Sequence, residues 1–232
     1  MATREPIFVA REGVGDDSGA LDPIPWTPAK NMKGSTHGGA RGRKGEEWRD
    51  TYATPQGVIE IVKQKVGIIH LDAAAVEETS KGISYIGPDH RDPAMRDALN
   101  VEWVKAARAE VGGTGFVADN QLHAFLNPPF GNIADFAYAA AFWGQRMTVT
   151  FLSYGRSETG WWQHFIHPHA CETIVLTPRV RYVDPRTGQL RKGSPNIHSC
   201  LSIFRPGFTG PPRVSYANWT DFQPKNAATP SP

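Results

Sequence analysis

Apolar residues recur at helical spacing after Thr54-Pro55, where Val58, Ile59, Ile61, Val62 and Val66 share one face. Thr54 is suited to cap this helix, Pro55 to open it and Gly67 to end it. The apolar run Ile68-Ile69-His70-Leu71 reads as a strand ending at Asp72. Asp92-Pro93 opens a second helical stretch, with Met95, Leu99, Trp103 and Val104 at helical spacing and a break at Gly112-Gly113. Further strands are expected over residues 123–126, 147–152, 171–176, 179–183 and 199–204, and helices over 133–143 and 158–166. Strand and helix alternate through the middle of the chain. That pattern predicts an α/β fold with three layers and a mostly parallel central sheet. Ligands of such sheets sit beyond the carboxyl ends of the strands, where Asp72, Asn127 and Ser153 fall.

The 232 residues are 40% hydrophobic, enough for one domain with a substantial core and too few for two of full size. Residues 1–45 are rich in Gly, Pro and Asp and read as a flexible arm, its run Gly38 to Gly45 being basic. The folded unit is expected over residues 46–208 and a tail over 209–232. No apolar run approaches the roughly 20 residues that span a bilayer, and the N-terminus lacks the pattern of a secretory signal. Cys171 and Cys200 lie in apolar, strand-like stretches, where buried free thiols are the usual outcome and a disulfide the lesser one. A reducing, cytoplasmic setting follows.

The net charge of +2 hides an asymmetry: residues 151–232 carry nine basic groups against four acidic ones. The excess peaks at Arg179, Arg181, Arg186, Arg191 and Lys192, opposed only by Asp184. Such a segment suits a polyanion, although a solvated loop has the same composition.

The chemistry concentrates in Leu126-Asn127-Pro128-Pro129-Phe130-Gly131, directly after a strand. Two consecutive prolines hold φ near −65° twice and remove two backbone donors, leaving a stiff turn whose carbonyls can accept. With the Asn127 side-chain oxygen as a further acceptor and Phe130 as a flat apolar face, this turn suits an aromatic amine. The exocyclic nitrogen of adenine is a poor nucleophile because its lone pair is delocalised into the ring. Acceptors at Asn127 and the Pro128 carbonyl would pull it towards tetrahedral geometry and turn the lone pair outwards. The four letters alone also describe an ordinary turn. Asp72, followed by Ala73-Ala74-Ala75, lets a ligand approach the backbone closely, or simply caps the next helix.

Taken in order, these segments resemble the phage-type DNA adenine-N6 methyltransferases, the Dam-like proteins of phages and prophages. The matching pieces are Trp48, Thr54-Pro55, Leu71 to Ala74, Leu99 with Trp103, Leu126 to Gly131, Phe151 to Ser153, Thr159 to Trp162, Arg179 to Tyr182, and Ser199 to Pro206. The resemblance implies a Rossmann-like, class I S-adenosylmethionine-dependent fold, a DNA substrate and the cytoplasm of a bacterial host. It implies a catalytic role for Asn127, Pro128, Pro129 and Phe130. It implies that Leu71, Asp72, Ala73 and Ala74 border S-adenosylmethionine, and that Thr54 and Pro55 fold over its methionine end. Asp97 matches an acidic position near its adenosine. Many members have tyrosine where Phe130 stands, the first motif lacks Gly-x-Gly, and residues 104–124 read as an insertion.

Other features carry blander readings. His164, His167, His169 and Cys171 lack a second cluster with zinc-like spacing and read as a helix-end or surface group, with no metal. Of Trp161-Trp162, one is expected in the core and one at a rim. Gly112 to Gly115 reads as a mobile loop, since no phosphate-loop lysine follows. Rival functions are methylation of cytosine N4 or of an RNA or free-base amine, and a DNA-binding module without catalysis.

Overall fold

The computed structural model describes residues 52–109, 117–193 and 196–224. The arm at 1–45 and the run Gly112 to Gly115 lie outside them. Helix α1 is Gln56–Val66, followed by strands β1 (Leu71–Asp72) and β2 (Ser84–Tyr85), helix α2 (Trp103–Ala109), strand β3 (His123–Leu126) and helix α3 (Ile133–Trp143). Strands β4 (Thr148–Tyr154), β5 (Ala170–Thr177), β6 (Val183–Asp184), β7 (Gln189–Leu190), β8 (Ser199–Phe204) and β9 (Arg213–Asn218) complete the set. Seven strands form one sheet in the order β2-β1-β3-β4-β8-β5-β9, and β6 and β7 form a separate ribbon. Within the sheet only β8 runs against its neighbours, between β4 and β5.

Alternate side chains of the central strands feed two cores, as the two-residue period of a strand requires. Ala124, Leu126, Phe151 and Cys200 pack on one face with α2, α3 and the turn Trp162–Ile166. Phe125, Leu152 and Leu201 pack on the other with α1 and Trp219. The result is three layers, with a large, mostly parallel sheet in the middle. Among the described residues, no helix is long and apolar enough to cross a membrane.

Several elements depart from the pattern in the sequence. Thr54 does not cap α1: Pro55 holds the cap position and has no side-chain acceptor of its own to offer. Gly67 does end the helix, with φ of 80°. The stretch after Asp92 forms only the single turn Pro93–Met95 before α2. Its polar side chains bind the local backbone instead, Asp92 accepting from Ala94 N–H at 2.9 Å and Asp97 from Leu99 N–H at 3.0 Å. Residues 158–166 yield one wide π turn, Trp162–Ile166. Trp161 and Trp162 are both buried, so neither is a rim residue. The strand expected at 179–183 shrinks to Val183–Asp184, which pairs with β7 and, through Val183, with Ala53 instead of joining the main sheet.

The segment expected to trail from residue 209 instead supplies β9 and the buried Trp219. Gln223 Oε1 accepts from Gly57 N–H at 2.9 Å, satisfying a donor at the start of α1. A Cβ on Gly57 would lie 2.1 Å from the Trp219 carbonyl oxygen. Gly57→Ala is therefore expected to undock the 219–223 turn and to cost about 2 kcal/mol or more in urea denaturation; unchanged stability would mean that the turn does not anchor α1.

Candidate active site

β1 and β3 are parallel neighbours, with Leu71 opposite Ala124 and Asp72 opposite Phe125. Their carboxyl ends therefore lie side by side, and Asn127 follows two residues after the partner of Asp72. Both line one cavity of about 320 Å³, together with Thr54, Ala74, Ala75 and Asp97.

Asn127 donates from Nδ2 to Thr54 Oγ1 at 3.1 Å. That bond sets the amide's orientation and leaves Oδ1 on the opposite branch. Thr54 is buried, and the segment carrying it is clamped to the β6–β7 ribbon. Ala53 and Val183 exchange both backbone hydrogen bonds, at 3.0 and 2.9 Å. Arg191, just past β7, sits 5.5 Å over the Tyr52 ring.

Asp72 is 3% exposed. Its Oδ2 accepts from Lys81 N–H at 2.9 Å, while Oδ1 has no hydrogen-bond partner. Burial pushes its carboxyl up to about 6, against the opposing pull of backbone donors and the Lys81 charge. The Asp72 residue contributes to the cavity lining, but Oδ1 itself is buried beyond the reach of solvent.

The remaining candidates separate into lining and backing. Leu71 and Ala73 are fully buried behind the cavity. Pro55 and Pro128 are also buried, and Pro129 and Asp97 belong to the lining. Phe130 is not part of the lining. Its ring stacks on Tyr154, with centroids 4.0 Å apart and planes at 27°, and meets Tyr182 at 6.2 Å. The Tyr182 hydroxyl is buried, with the Ser199 side chain beside it.

Sequence reasoning gave no role to Tyr154 or Tyr182, nor to Arg96 and Phe136, which line the cavity. β4 runs on to Tyr154, which makes that residue, and not Ser153, the strand's carboxyl end.

The basic candidates surround the β6–β7 ribbon. Arg179, Arg186, Arg191 and Lys192 are exposed and Arg181 is half-buried. Arg186 forms a bidentate pair with Asp184, at 3.1 and 2.7 Å. Among the described residues, no three His, Cys, Asp or Glu side chains converge as metal ligands would. Cys171 and Cys200 are free thiols, and burial pushes Cys200 up to about 12.

A mostly parallel sheet with a cavity at the carboxyl ends of β1 and β3, lined by a carboxyl group and an Asn-Pro-Pro corner, defines the molecule as an α/β protein with room for a small ligand there. Residues 42–227 match the family model described as DNA N-6-adenine-methyltransferase (Dam), and the chain belongs to that family. A search of curated proteins found no match.

Asp72 and His123 oppose each other in acid. His123 is buried between Ile68 and β4, its Nδ1–H donating to the Ile68 carbonyl at 3.1 Å and its Nε2 accepting from the Thr150 hydroxyl at 2.9 Å. Burial lowers its pKa to about 4. The folded state therefore binds fewer protons at His123 than the unfolded chain does, and stability falls as pH drops from about 6.5 to about 4. At Asp72 the folded state binds more protons, so stability falls as pH rises from about 4 to about 6. Asp72→Asn is expected to stabilise the ligand-free protein at about pH 8 by up to about 3 kcal/mol and to expose a steeper loss between about pH 6.5 and 4. Urea denaturation at several pH values checks both, and an unchanged profile would mean that Asp72 is better solvated than its position indicates.

Proposed function

We propose that this protein transfers a methyl group from S-adenosylmethionine to N6 of an adenine in DNA. The observation that carries the proposal is the shared cavity: Asp72 and Asn127 face one space, and Thr54 fixes the Asn127 amide beside it. Family membership supports the DNA adenine substrate. The cavity residues suit the cofactor. Asp72 contributes a carboxyl group to the lining, the small Ala74 and Ala75 permit close approach, and Thr54 and Asp97 lie on the walls. S-adenosylmethionine, when bound, supplies an electrophilic methyl carbon.

The chain's own residues act on the amine. Asn127 Oδ1 and the Pro128 carbonyl each accept one hydrogen of N6, which turns the nitrogen lone pair away from the ring. Positive charge grows on the nitrogen only as the new bond forms, so two acceptors already aimed at it stabilise the transition state more than the ground state. The proton released afterwards passes to solvent. Pro128 and Pro129 keep the acceptors from relaxing. Phe130 stacks the base, which must leave the duplex for its amine to reach the corner. The sheet supports a Rossmann-like class I reading of the fold: β2, β1, β3 and β4 are four parallel neighbours, and the one reversed strand, β8, is inserted between β4 and β5. The exposed arginines and Lys192 around the β6–β7 ribbon are placed to meet phosphates.

Three measurements test this. Unmethylated DNA incubated with labelled cofactor, then digested and analysed by mass spectrometry, is expected to yield N6-methyladenine. N4-methylcytosine, or cofactor binding without transfer, would reassign the protein. Asn127→Ala is expected to lower turnover about a hundredfold or more, roughly 3 kcal/mol, with cofactor affinity by calorimetry nearly intact; near-normal turnover would remove the role given to Asn127. Replacing Arg186, Arg191 and Lys192 together with alanine is expected to flatten the dependence of log affinity on log salt by roughly 0.9 for each phosphate that is no longer neutralised. An unchanged slope would move the DNA surface elsewhere.

A further inference from the structure

Phe130 follows the diproline corner, yet its ring is kept out of the cavity. Tyr154 covers it as a stacked ring, with centroids 4.0 Å apart and planes at 27°, on the face that a stacking base would need. Tyr154 is the last residue of β4, at the same sheet edge as Asn127, which follows the neighbouring strand β3. Beyond it the chain turns sharply. Gly155 N–H donates to the His198 carbonyl at 3.1 Å, and Arg156 N–H to the Tyr154 carbonyl at 3.0 Å. A Cβ on Gly155 would lie 2.2 Å from His198 Nε2, so the turn is held close to the strand that follows and the Tyr154 backbone has little room to shift. The ring is only half-buried, however, and can leave Phe130 by rotation about its own side-chain bonds. Arg191 belongs to the electrostatic surroundings of Tyr154 and to the basic segment around the ribbon, which brings a DNA-facing charge close to the covering ring.

We propose that Tyr154 is a stand-in for the target base: it occupies the Phe130 face in the DNA-free protein and must rotate away before an extruded base can stack there. Tyr154 is a positioning residue, not a catalytic one. It keeps the apolar face of Phe130 covered, and each arriving base has to displace it. Selectivity follows from that competition. A base held at the corner by Asn127 and the Pro128 carbonyl gains hydrogen bonds that Tyr154 lacks, whereas a base without a suitably placed amine has only stacking with which to compete.

This inference rests on the base-extruding reading above, and its test separates the two. Once the methylated adenine has been mapped, that position in a duplex is replaced by 2-aminopurine, whose fluorescence rises when it leaves the stack. Tyr154→Ala is expected to raise the extruded population about 2- to 10-fold, the range that loss of one competing ring pair supplies. Tyr154→Phe is expected to match the parent protein, because stacking is preserved, and cofactor affinity by calorimetry is expected to be the same in all three. If the alanine variant folds poorly, Tyr154→Leu keeps the bulk without the stack and is expected to behave as alanine does. A population unchanged or lowered in a folded variant would overturn the proposal, a lowered one marking Tyr154 as a wall of the base site. Failure to find any methylated amine would instead overturn the methyltransferase reading.

Discussion

One hydrogen bond, from the Asn127 amide to the Thr54 hydroxyl, anchors that amide at the edge of the cavity with its oxygen on the other branch. An amide is symmetric in shape and opposite in chemistry at its two ends, so an unanchored asparagine could present donor or acceptor alike. In the structure the Thr54 hydroxyl accepts from the nitrogen, which leaves the oxygen for a donor of the substrate. The anchor draws on distant parts of the chain. Thr54 comes just before α1, Asn127 follows β3, and the segment carrying Thr54 is bridged to β6 through Ala53 and Val183. The ribbon that presents basic side chains is thus mechanically continuous with the residue that orients the corner.

The same edge of the sheet carries an electrostatic cost. Asp72 is buried with one oxygen unsatisfied, and its raised pKa records how poorly the ligand-free protein solvates that charge. Groups placed for a ligand are commonly destabilising until the ligand arrives. His123, deeper in the same sheet, differs in kind. Both of its ring nitrogens are satisfied within the protein, and its lowered pKa reflects a neutral imidazole that belongs to the fold.

Much of this arrangement was legible in the sequence. Elements with a clear period and a stop signal, such as α1 with Gly67 and α3, appear where the apolar residues put them. Asp72 and Asn127 stand out because strands end at them. The misses have local causes. Thr54 reads as a helix cap, since a threonine before proline usually is one, and only the fold reveals that its hydroxyl serves Asn127 instead. β9 escapes notice because its apolar Val214 and Tyr216 point to solvent, 59% and 75% exposed, so no buried alternation announces a strand. The stretch after Asp92 has a helical apolar period, but its Asp side chains bind the nearby backbone and hold it in short turns. Phe130 is legible as a stacking face, whereas its cover, Tyr154, comes from another strand and could be placed only in three dimensions.

The most direct test of the orienting role of Asn127 is the distance from its Oδ1 to the target amine nitrogen in a crystal structure with cofactor product and a duplex containing the mapped adenine. A hydrogen bond of about 2.7–3.2 Å is expected, with Nδ2 still held by Thr54. An amine nitrogen beyond hydrogen-bond reach of that oxygen, or an Asn127 amide turned so that nitrogen faces the base, would contradict it.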